Sequence, residues 1–158
     1  MKVVEDDLWA ASGNGNDGHL MRLSGNNSNW TTWDVDTNDI PDGYGADILL
    51  CHDIVHVAIG FSAWQWWAVG GGIARFDLGD HDGDGITEEW LSPITDDNSN
   101  MADKDVRALA CDEENEIMYV GFDTGNVGID QFDYSSNNFL ATLTPDMGVS
   151  ENPVFPGG

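Results

Sequence analysis

At 158 residues, with 41% hydrophobic and 10% aromatic content including seven Trp, the chain is long enough for one domain with a core and too apolar for disorder. Its net charge of −24 comes from five basic and twenty-nine acidic residues. Such a surface excludes nucleic acid and anionic membranes as partners, attracts divalent cations, and suits salty water, where self-repulsion is screened.

The chain opens with "MKVVEDDLW", which lacks the basic and apolar regions of a signal peptide; the signal of a secreted parent would lie outside this sequence. No apolar run approaches the roughly 18 residues needed to span a bilayer. Residues 1–40 then give short apolar runs, "LWAASG", "HLMRL" and "NWTTW", separated by Asn, Asp and Gly clusters. The sequons at Asn26 and Asn29 fall in such a cluster, where chance matches are common. Residues 41–98 repeat the order with "ADILLC", "VHVAIG", "GGIARFD" and "TEEWL", interrupted by an insertion, "FSAWQWWAV". Residues 99–148 give it most clearly: "VRALA", "IMYVGF", "VGIDQFD" and "FLATLT". A tail, residues 149–158, follows.

Runs of about five β-branched or aromatic residues between turn-forming clusters predict strands, four to a unit, and no segment carries a capped helical period. Aligning Arg22 with Arg75 gives a step of 75 − 22 = 53, and Arg75 with Gln131 gives 131 − 75 = 56. The first unit is expected to lack its opening strand. The unbroken apolar character of "DILLC" and "VHVAIG" predicts strands covered on both faces.

"DVRALACDEENEIMYVGFDTGNVGIDQFD" resembles the two-component regulator propeller repeat, with its "V-x-x-L-A" strand, acidic turn and "Y-V-G … G-I-x-x-F-D" pair of strands. "IPDGYGADILLCHDIVHVAIG…GGIARFD" fits the same pattern, and "LWAASG…HLMRL" fits its second half. The resemblance implies an all-β protein of four-stranded antiparallel propeller blades, in a family of extracellular or periplasmic sensing and binding modules. Three such blades leave two open apolar faces, so either the chain is part of a larger multi-blade protein or it assembles with itself. A homodimer of six blades is the simplest closed form. In that form Pro153 to Pro156 could supply the strand that the next chain's first unit lacks.

Two candidate sites stand out. In "DHDGDGITEE", Asp80, Asp82 and Asp84 occupy loop positions 1, 3 and 5 of a calcium loop, Gly85 the turn, and the Ile86 carbonyl position 7. Leu91 stands where a full EF-hand has its bidentate glutamate; Glu88 or Glu89 would supply the missing carboxylate. The expectation is a hairpin held by structural calcium, against an ion-free Asp/Gly turn. The second site is Trp64, Trp66 and Trp67, either a platform for a carbohydrate or peptide ligand or a cover over a blade edge or subunit contact.

"CHDIVH" matches no zinc spacing and is read as a turn after a buried cysteine. Cys51 and Cys111, 111 − 51 = 60 apart at the same repeat position, are expected to be separate buried thiols, unless their strands approach within about 7 Å. No nucleophile elbow, phosphate loop or zincin motif is present, so no catalytic residue is assigned. The leading reading is a non-enzymatic binding module. The alternatives are a propeller lyase or hydrolase acting on carbohydrate through an acidic channel, and a structural piece of a larger protein.

Overall fold

The computed structural model describes residues 1–12, 19–25, 29–34, 40–60, 70–123, 128–140 and 142–143. Among them are twelve strands and no helix. The first sheet holds β1 (Lys2–Val4), β2 (Asp7–Ser12), β3 (His19–Leu23) and β4 (Trp30–Asp34). The second holds β5 (Tyr44–Cys51), β6 (Ile54–Gly60), β7 (Gly72–Asp77) and β8 (Glu89–Ile94). The third holds β9 (Val106–Asp112), β10 (Ile117–Phe122), β11 (Ile129–Asp133) and β12 (Asn138–Phe139). Each sheet is an antiparallel meander in chain order.

The turns follow from local chemistry. His52 and Asp53, at φ 52° and 56°, form the two-residue turn between β5 and β6, a conformation whose twist matches that of the flanking strands. The turn expected after Cys51 is therefore this hairpin tip, and Ile54, Val55 and His56 of "CHDIVH" continue as β6. After β11, the Asp133 carboxylate accepts from the Ser135 amide at 3.0 Å and from the Ser136 hydroxyl at 2.7 Å, fixing the bend into β12.

β1 corrects the expectation of a missing first strand. Its three residues pair with β2 through Lys2↔Trp9, Val3↔Leu8 and Val4↔Asp7. Three residues carry no readable period, and the strand exists because β2 offers it an edge. The first sheet is thus complete within the chain, which removes the reason for strand exchange through Pro153–Pro156; the tail itself lies outside the described residues.

The sheets pack face to face in chain order. Trp9, Leu20 and Trp33 of the first sheet meet Ile48, Val55, Val57 and Phe76 of the second. The second sheet's other face carries Leu49, Ala58 and Ile73, which meet Leu109, Met118, Val120 and Phe132 of the third. With both faces covered, all seven residues of β6 are buried. Gly45 is required at the first junction, since a Cβ there would lie 2.1 Å from that of Ala11.

The cysteines are a second correction. β5 lies against β9, which brings the Cα atoms of Cys51 and Cys111 to 5.8 Å, and the two are joined as a disulfide. Repeat equivalence placed them at matching positions; sheet packing turned them toward each other.

Among the described residues, two faces have no sheet against them. On the first sheet Val3, Leu8, Leu23 and Trp30 form one cross-strand row, with Val3 67% and Trp30 43% exposed. On the third sheet Ile129, opposite Gly121, and its bridge partner Leu143 are 45% and 39% exposed.

Candidate functional site

The acidic hairpin joins β7 to β8. Its base is Asp77, fully buried, whose carboxylate accepts from the Gly79 amide at 2.8 Å, the His81 amide at 2.7 Å and His81 Nδ1 at 2.6 Å. Burial pushes this carboxyl upward, but those hydrogen bonds outweigh it and hold Asp77 below the ordinary carboxylate range. The loop therefore leaves β7 from a fixed anchor.

Beyond it, Asp80, Asp82 and Asp84 bring carboxylate oxygens within 4.8 Å of one another. The loop ties one oxygen of each to its own backbone: Asp80 Oδ1 accepts from Gly85, Asp82 Oδ1 from Asp84 and Asp84 Oδ1 from Ile86, at 3.1, 3.3 and 2.8 Å. Gly83 and Gly85, at φ 79° and 88°, allow this curl. Asp84 also makes a side-chain hydrogen bond with Glu89.

Glu88 turns elsewhere. It sits at φ 60°, and its carboxylate accepts from Arg22 Nη2 of the first sheet at 2.9 Å. Arg22 also pairs with Asp7. Glu89 is the residue beside the cluster: burial first, then the charges of Asp84 and Asp82, raise its carboxyl above the usual range. Its Oε1 is buried without a hydrogen-bond partner. Trp64, Trp66 and Trp67 fall in residues 61–69, outside the described residues.

The same hairpin forms one wall of a cleft of about 660 Å³ between the second and third sheets, a size that suits a small organic molecule. His52, Arg75, His81, Leu91, Tyr134 and Asn137 line it. Arg75 Nε and Nη2 donate to the Ser92 carbonyl at 3.0 and 2.6 Å. The arginine makes no ion pair with a described carboxylate, and its burial lowers its pKa from the ordinary value, with Tyr134 and Asp77 opposing the shift. The His52 ring lies 4.5 Å from that of Tyr134, centroid to centroid, and its Nε2 has no hydrogen-bond partner.

Beneath the cleft, His56 is fully buried. Its Nδ1 lies 3.0 Å from the Ile54 carbonyl, which can only accept, so Nδ1 carries the proton and Nε2 accepts from the Tyr134 hydroxyl at 3.0 Å. Burial first, then the Arg75 charge, lowers the His56 pKa to about 3. The ring is a neutral tie between the sheets. Burial likewise raises the Tyr134 phenol.

The cleft was not anticipated from the sequence. The available signal was the recurrence of an arginine at Arg22 and Arg75 in a chain with five basic residues. Compared with family models, with curated proteins and with solved structures, the chain matches none.

Proposed function

We propose that the chain is a non-enzymatic ligand- or protein-binding module of β-propeller type, three blades per chain, closed to six by a second copy. One observation carries this reading. Three four-stranded meanders stack in chain order, each presenting the face that leads to the next sheet, so the outer faces left over are one of each kind. The leading face of the third sheet and the trailing face of the first are the same two partners that meet at both internal junctions. Two copies related by a two-fold axis satisfy both faces at once. Exposed rows such as Val3, Leu8, Leu23 and Trp30 are apolar enough to favour being covered.

Within this reading, Asp80, Asp82 and Asp84, with Glu89 and the Ile86 carbonyl, hold calcium. The donor set is all oxygen and rich in carboxylate, which suits a hard divalent cation that takes six to eight ligands. Calcium there neutralises the mutual repulsion of the cluster and stiffens the hairpin. The flanking elements are strands, so the ion has no helix pair to open.

Solution mass by light scattering tests the assembly. The chain is 17.2 kDa, so the dimer is expected at 2 × 17.2 = 34.4 kDa. A folded, monodisperse species at the single-chain mass sinks the closure argument.

A further inference from the structure

The two sheet junctions differ at one equivalent place. Arg22, in β3, lies opposite Trp9 on the face turned toward the second sheet. Arg75, in β7, lies opposite His56 on the face turned toward the third. At the first junction the arginine is answered across the gap by Glu88, the residue immediately before the fourth strand of the next sheet. At the second junction the residue immediately before the fourth strand of the next sheet is Asn137. The correspondence extends to the backbone, since both residues sit in the left-handed region, Glu88 at φ 60° and Asn137 at φ 52°. Where the first junction has a carboxylate, the second has a carboxamide and an open cleft of about 660 Å³.

We propose that this cleft binds a small organic acid, whose carboxylate takes on Arg75 the place that Glu88 takes on Arg22. The guanidinium has donors left over after Ser92, and although the Asp77 charge acts on it, no described carboxylate forms an ion pair with it, so a ligand carboxylate can take those donors. Ile54 and Leu91 give the cleft an apolar wall for the body of the ligand. The Asn137 carboxamide offers polar contacts. Asp82, on the rim, narrows the choice to a compact ligand with one carboxylate, because a second anionic group would meet it. The remainder of the surface is strongly acidic and repels anions, so binding has to be local to this cleft and is best read where salt screens the wider field. The inference rests on the second junction alone and stands whether or not the chain forms a closed ring.

Two sources share this chemistry, a uronic acid and an aromatic acid, and galacturonate and 4-hydroxybenzoate, each with a single carboxylate, serve as probes. Each is titrated into the full chain by calorimetry and by tryptophan fluorescence, beside its uncharged methyl ester. At least one acid is expected to bind with a Kd of about 1 mM or tighter, and its ester at least about tenfold more weakly. Arg75→Gln installs the residue type that Gln131 supplies at the equivalent point of the third sheet, and is expected to abolish binding. Asn137→Glu leaves the arginine in place and supplies an internal carboxylate; it is expected to abolish binding while raising Tm, which keeps the test decisive if Arg75→Gln folds poorly. Arg22→Gln, at the junction already filled, is expected to leave binding unchanged. Saturable binding by neither acid overturns the proposal. So does acid binding that survives Asn137→Glu, or esters that bind as well as acids.

Discussion

Breaking the Cys51–Cys111 bond tests how much of this fold depends on one cross-link. The disulfide ties β5 to β9 across a sequence separation of 60 and so removes a large loop from the freedom of the unfolded chain. For a loop of this length the chain-entropy model gives roughly 4 kcal/mol at 25 °C. Reduction leaves the packing nearly untouched, because Cys51 is fully buried and Cys111 packs against the same core, so the effect falls mainly on the unfolded state. At about 2.1 cal/mol/K per residue, a chain of this size unfolds with about 0.33 kcal/mol/K, so 4 kcal/mol corresponds to about 12 °C in Tm. The assay begins with a thiol count in denaturant, where the unreduced protein is expected to show none. Circular dichroism melts at fixed protein concentration then compare the oxidised protein, the reduced protein and Cys51→Ala/Cys111→Ala. Two titrating thiols before reduction, or a Tm that moves by less than about 3 °C, would refute the reasoning.

Two further outcomes follow from the site. The folded pKa of His56, about 3, lies below its unfolded value near 6.5. The unfolded chain therefore takes up a proton the folded one refuses, and this contribution is lost as pH falls from 6.5 toward 3, at about 1.4 kcal/mol per pH unit. Denaturant melts of the wild type and His56→Gln across that window should differ in slope; parallel pH profiles would exclude the buried neutral imidazole. For the hairpin, calcium at about a hundred times its Kd should add about 2.7 kcal/mol over EGTA-treated protein. A triple Asp80→Asn/Asp82→Asn/Asp84→Asn variant should lose that gain, and an equal rise in the variant would assign the effect to ions elsewhere on the acidic surface.

The repetition of three four-stranded sheets was legible because strand period and turn chemistry agree at each step: "VHVAIG" reads as a strand covered on both sides, and β6 is buried throughout. β1 was missed because "KVV" has no pattern of its own and forms only against Asp7–Trp9. Separate thiols were expected because repeat spacing reports which strand a cysteine occupies and says nothing about which face meets which. Glu88 and Glu89 were interchangeable candidates in sequence; the structure turns Glu88 to Arg22 across a junction and leaves Glu89 beside Asp82 and Asp84. Arg75 and Tyr134 lie 134 − 75 = 59 residues apart and line one cleft only through sheet packing, which no local pattern encodes.

Both junctions have an apolar core, but they differ in what joins the sheets beside it. Between the first two sheets, Trp9, Trp33, Phe76 and Trp90 pack in succession at 5.0–5.8 Å between ring centroids, Trp9 stacked on Trp33 and Trp90 edge-on to Phe76, and Arg22 pairs with both Asp7 and Glu88. That junction has the space and charge of its contact settled by side chains. Between the second and third, the apolar core is supplemented by a covalent bond at Cys51 and the His56–Tyr134 hydrogen bond, and both lie beside the cleft, since His52 follows Cys51 and Tyr134 lines the wall. A covalent bond and a buried hydrogen bond added to an apolar core hold the two sheets in register around the cleft. The cross-link and Arg75 thus belong to one physical arrangement: the bond maintains the alignment of the two sheets, and the cleft opens beside it.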